Sequence, residues 1–116
     1  MTNKKNRTSR HFLDRLFSVY QIDTNQQIGY LQNISAEGAL IVSETNFKQD
    51  QKIHLKLNIE DQDEEIKNVD FEVICKWTKE GSYKGLFEIG FKFIDNNSYL
   101  QEGINYLIKR FSFASY

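Results

Sequence analysis

The sequence predicts a mainly β fold: six antiparallel strands forming a barrel or a sandwich, closed by one C-terminal α-helix. Three observations carry this. Apolar and polar residues alternate with a period of two through much of the chain, as half-buried strands require. The connections between those runs are of hairpin length, which suits antiparallel pairing and not the crossovers of a parallel sheet. The period becomes helical only once, near the C-terminus. Composition agrees, with nine Phe, six Tyr and no proline in 116 residues, a bias towards strands. Such a length fits one domain able to bury a core without disulfides or metal.

Taken in order, residues 1–10 read as a flexible basic arm, polar and without periodicity. Residues 11–116 form the single folded domain. Its first strand runs from about Arg15 to Ile22, with Phe17 and Val19 on one face and Leu16, Tyr20 and Ile22 on the other. Asp23-Thr24-Asn25 turns the chain into a second strand, Gln27 to Gln32. The hexapeptide Asn33-Ile34-Ser35-Ala36-Glu37-Gly38 ends that strand. Asn and Ser can hydrogen-bond backbone groups a residue or two ahead, and Gly38 can take a positive φ, so it reads first as a structured turn. A third strand spans Ala39 to Ser43. In the fourth, Ile53, Leu55, Leu57 and Ile59 alternate with His54, Lys56 and Asn58. The acidic run from Glu60 to Glu65 is a solvated loop tip. The fifth strand sets Val69, Phe71, Val73, Cys75 and Trp77 on one face, and the sixth does so with Phe87, Ile89, Phe91 and Phe93. Lys79 to Ser82 is the loop between them. Ser98-Tyr99-Leu100-Gln101 has the spacing of a capping box. Leu100, Ile104, Leu107, Ile108 and Phe111 then follow as the apolar face of a helix.

Charge and chemistry narrow the function. Residues 1–15 carry five basic side chains against Asp14, a net of +4, within a chain whose total is −1. Basic charge confined to one short arm suits a small anionic ligand and speaks against a nucleic-acid polymer, which calls for a wide basic face. Two histidines, His11 and His54, and one cysteine offer no metal-ligand spacing. There is no glycine-rich phosphate loop and no nucleophile elbow. The chain is therefore expected to be a non-enzymatic binding protein, without catalytic residues, metal or cofactor. A lone Cys75 among apolar residues fits a buried thiol in a reducing compartment. With no apolar leader or membrane-length run in the sequence, the expected location is cytoplasmic, without membrane insertion. Arg7 and Arg10, just ahead of the first strand, supply planar donor forks that can grip phosphate, meet the O6/N7 edge of guanine or stack on a base.

A basic arm with arginines, a strand hairpin and then Asn33-x-Ser35-x-x-Gly38 resembles the PilZ domain. That family is marked by Arg-x-x-x-Arg followed by Asp/Asn-x-Ser-x-x-Gly. The resemblance extends to Val73-Ile74-Cys75-Lys76-Trp77, to Ile89-Gly90-Phe91-Lys92-Phe93 and to the helix from Ser98 to Phe111. It implies a six-stranded antiparallel β-barrel that binds cyclic di-GMP. Arg7 and Arg10 would fold over phosphate and guanine, Asn33 and Ser35 would hydrogen-bond a guanine edge or its ribose-phosphate, and Gly38 would allow close approach. Lys5, Asn6, Arg15 and Trp77 are further candidates for the site. The second motif is complete. The first departs from the pattern: Asn6 stands four positions before Arg10, so the arm reads Arg-x-x-Arg. The resemblance implies a second-messenger receptor or adaptor that acts on a downstream protein of the motility, adhesion or polysaccharide machinery. The alternative is a PilZ-like accessory of pilus assembly or secretion that works through protein contacts without the nucleotide.

Overall fold

The computed structural model describes residues 9–59 and 68–115. The expected arm up to Thr8, with Lys5, Asn6 and Arg7, and the acidic run from Glu60 to Glu65 lie outside these residues. The elements are β1 (His11–Gln21), β2 (Gln26–Ile34), β3 (Gly38–Ser43), β4 (Lys52–Asn58), β5 (Asn68–Glu80), β6 (Phe87–Phe93), α1 (Ser98–Phe111) and β7 (Ser112–Ser115). Neighbours run β2-β3-β6-β5-β4-β1, and β1 pairs back onto β2, so six strands close into an antiparallel barrel. Closure removes the exposed edges that an open sheet would present. The short β7 pairs with the head of β1, Phe12 opposite Ala114.

The inward rows are those the alternation indicates. Val19, Ile41, Leu55, Leu57, Val73, Cys75 and Ile89 are fully buried, whereas Leu16, across the pleat from Phe17, faces outward. Helix α1 lies against the barrel through Leu100, Ile104, Leu107 and Phe111. Phe111 meets Phe17 edge to face at 5.0 Å, a favourable geometry for two rings. Gly103 permits the close approach of the helix, since a Cβ there would crowd Val69. Burial, and next the Asp50 carboxylate, push the Cys75 thiol above its ordinary pKa.

Five expectations change in detail. Strand β1 begins at His11, not near Arg15. The register passes from Phe12 opposite Asn33 to Phe17 opposite Leu31, so residues 13–16 form a bulge against Gln32, in which Leu13 stays buried while residues 14–16 are exposed. Strand β2 continues to Ile34, which leaves only Ser35, Ala36 and Glu37 as the turn. Gly38 opens β3 without a positive φ. It is small because a Cβ there would overlap the Phe91 carbonyl. The helix is capped by Asn97, whose side chain accepts the Leu100 N–H at 2.8 Å, one residue ahead of the expected Ser98. Last, Trp77 does not join Cys75 inside. Cys75 pairs with Phe91 and Trp77 with Gly90, so Lys76 is an extra residue in β5. This bulge sends Lys76 and Trp77 outward together.

Candidate functional site

A groove of about 230 Å³ lies on the outer wall where the turn after β2 meets β3, β6 and β5. Sequence places its residues far apart; strand order brings them together. Gly38 of β3 stands opposite Lys92 of β6, and Leu40 opposite Gly90, which in turn faces Trp77 of β5. The Trp77 indole lies across Gly90, so close that any Cβ there would collide with the ring. Gly90 is thus the seat that lets the indole lie against the wall.

The turn is heavily bonded. The Ser35 hydroxyl accepts the N–H groups of Glu37 and Gly38 at 3.2 and 3.3 Å, and donates to the Gly38 carbonyl at 3.4 Å. The Ser35 N–H donates to the same carbonyl at 2.9 Å. Outside the turn, the Phe93 N–H donates to the Glu37 carbonyl at 2.9 Å. The Ala36 carbonyl accepts from Asn96 Nδ2 at 3.2 Å and from Gln101 Nε2 at 3.1 Å. Gln101 also meets Asn96 Oδ1. The glutamine expected to close a capping box therefore ties the helix start to the turn instead.

Of the sequence-predicted site residues, Arg10, Asn33, Ser35, Gly38 and Trp77 all line this groove. Arg10, immediately before β1, is exposed and forms no ion pair among the described residues. Asn33 is only 4% exposed, yet it borders the groove. Its carboxamide has no hydrogen-bond partner among the described residues, which leaves one acceptor and a donor pair available. Arg15 lies elsewhere. Its guanidinium sits 4.5 Å from the Phe111 ring centroid and bonds Asp14 at 3.0 Å. Lys5, Asn6 and Arg7 lie outside the described residues.

Sequence reasoning passed over three charged lining residues, Lys76, Lys92 and Glu37. Both lysines alternate outward on their strands, which is readable. Their nearness to Asn33 and Gly38 depends on β3 lying beside β6, and no local pattern carries that. Among the described residues no cluster of His, Cys, Asp or Glu could hold a metal ion. No helix among them is long and apolar enough to cross a membrane.

A closed barrel with a cationic groove on its outside, floored by glycine and walled by one indole, is the geometry of the candidate site. The PilZ domain profile matches residues 5–110, and the chain belongs to the PilZ family. PilZ domains are typically non-catalytic receptors. Among solved structures, the Bacillus subtilis inhibitor of motility (MotI/DgrA) superposes with a TM-score of 0.70 at 14% identity, over 93% of this chain and 51% of that one. The PilZ domain of YcgR from Escherichia coli, solved with c-di-GMP, gives 0.70 at 13% identity, over 91% of this chain and 90% of that one. The K. pneumonia MrkH–c-di-GMP complex gives 0.63 at 12% identity, over 93% of this chain and 51% of that one. The chain thus spans about half the length of the motility inhibitor and of MrkH. At these identities the likeness establishes the fold. No curated protein sequence matches the chain.

Proposed function

We propose that this PilZ domain binds cyclic di-GMP in the groove and acts as a receptor that passes the signal to a protein partner. The observation that carries the reading is Asn33: a residue 4% exposed whose carboxamide bonds no described side chain and is not a buried orphan, so its polar atoms open onto the groove that Arg10 and Trp77 also line. A carboxamide can accept from a guanine N–H while it donates to O6. The indole offers a flat apolar face on which a base stacks. Arg10 supplies a planar fork for a phosphate or for the guanine O6/N7 edge. Arg7, with Lys5 and Asn6 beside it, belongs to the arm that would close over the ligand. Ser35 and Gly38 serve the site as its frame, because the serine hydroxyl is engaged within the turn and the glycine admits the β6 backbone. The known cyclic di-GMP complexes of YcgR and MrkH share this fold, and they support the reading. An arm that becomes ordered on the ligand alters the surface offered to a partner in the motility, adhesion or polysaccharide machinery.

Isothermal titration with cyclic di-GMP tests this. The expected result is saturable binding that is lost or strongly weakened in Arg10→Ala and in Asn33→Ala, with both variants folded. Absence of heat at high ligand concentration would sink the receptor reading and leave the accessory that works by protein contacts alone.

A further inference from the structure

We infer that Lys76 and Lys92, one from each of two barrel strands, hold the second phosphate of the ligand and so replace the arginine that the arm lacks at Asn6. The inference rests on the receptor reading above and assigns two further residues to the same groove.

The wall carries the case. Lys92 pairs across strands with Gly38 on one side and with Ile74 on the other, which sets its side chain beside the turn. Lys76 is the extra residue of the β5 bulge, exposed next to the exposed Trp77. Without the bulge, successive side chains would point to opposite faces, and the lysine and the indole could not share one. Neither lysine forms an ion pair among the described residues. By contrast Lys79, two residues past Trp77 on the same strand, sits 3.5 Å from Glu88.

Charge arithmetic agrees. Arg10, Lys76 and Lys92 face the groove against the single carboxylate of Glu37, a net of +2 from described residues alone. A cyclic dinucleotide carries two phosphodiesters, each bearing one negative charge. Three cations converging on a small groove favour a dianion, because each ammonium can donate to a phosphate oxygen from its own direction. Lysine serves here as a compact point charge, whereas Arg10 provides the planar fork. In this division of labour Arg10 orients one end of the ligand. The two lysines, fixed by strand register, neutralise the other.

The test is a titration series on the full chain with cyclic di-GMP and, in parallel, cyclic di-AMP, at low and at moderate salt. Variants are Lys76→Ala, Lys92→Ala, the double variant, and Lys84→Ala as an exposed lysine away from the groove. Each groove variant is expected to weaken cyclic di-GMP binding about tenfold, the size of one charge-assisted hydrogen bond. The double variant should show a clearly shallower salt dependence than the parent, the remainder being due to Arg10, since screening acts only on charge that is present. Lys84→Ala should bind as the parent does, and all variants should unfold at the parent's temperature. If the parent binds cyclic di-GMP and the double variant binds it equally well, the lysine assignment is wrong and the receptor reading stands. If the parent binds only cyclic di-AMP, with the same lysine dependence, the lysines keep their role and the guanine reading falls. A parent that binds neither overturns both.

Discussion

The turn at Ser35–Glu37 and the cationic rim around it border one groove and are built in opposite ways. In the turn, backbone and side-chain groups are engaged: the serine hydroxyl with two N–H groups and a carbonyl, the Ala36 carbonyl with two side-chain amides, the Glu37 carbonyl with β6. On the rim, Arg10, Lys76 and Lys92 form no ion pairs among the described residues. A polar group already satisfied inside the protein has little left for a ligand, while an unpaired cation at a groove has its full capacity to give. On the receptor reading proposed above, the difference separates a frame from a recognition surface. It says that damage to the turn is read in stability, and damage to the rim in binding.

The largest effect expected from this contrast is in the frame. Gly38→Ala drives a methyl into the Phe91 carbonyl and should cost about 3 kcal/mol of folding stability, measured as a shift of the urea midpoint. A midpoint unchanged from the parent would show that β3 and β6 can part without loss. Next comes the rim. Arg10→Ala should lower cyclic di-GMP affinity by about tenfold to a hundredfold while stability stays within about 0.5 kcal/mol. Unfolding at a much lower temperature would mean that Arg10 belongs to the frame after all. Ser35→Ala removes three hydroxyl contacts, long ones, within the turn. It should destabilise by about 1–2 kcal/mol. Its binding should follow that loss of order and recover at lower temperature, whereas a loss of affinity that persists there would give the hydroxyl a direct part in recognition.

The smallest effect concerns a group remote from both. Cys75 keeps its proton in the folded chain beyond the ordinary pKa of 9.0. Above that pH the unfolded chain releases the thiol proton first and is favoured, so this contribution is complete below pH 9.0 and fades as pH rises through the folded value. Its slope is at most about 1.4 kcal/mol per pH unit. Denaturant midpoints between neutral pH and pH 10 should fall more steeply for the parent than for Cys75→Ala. Parallel curves would show that the thiol ionises freely in place.

Much of this was legible in the sequence because the barrel's two faces are written in period two. Phe17 and Val19 go inward and Leu16 outward, as the alternation requires, and the Leu100–Phe111 stripe faces the barrel as its helical spacing requires. The breaks in period are what escaped. Residues 13–16 and Lys76 are bulges, and the one at Lys76 turns Trp77 away from the face of Cys75, which plain alternation would have it share. Strand β7 is four residues long, too short for a repeat to register. Of the site, the polar hexapeptide and Arg10 stand out locally. Lys92 becomes a site residue only once β3 and β6 are neighbours, and that adjacency is a property of closure rather than of any segment.

The bulge at Lys76 has an optical consequence. The chain has one tryptophan, and the bulge has moved it from the interior to the groove, 41% exposed and 5.9 Å from the Lys79 ammonium. The interior is packed with phenylalanine, whose emission is weak beside that of indole. With excitation at the red edge of the indole band, beyond the absorption of the six tyrosines, the emission of the folded protein therefore originates in one spot on its outer wall. Its colour and yield respond to what rests on Gly90 and to the charges nearby, and are nearly blind to the packing of the barrel. The protein carries its own dye, set by the strand register on the wall of the groove.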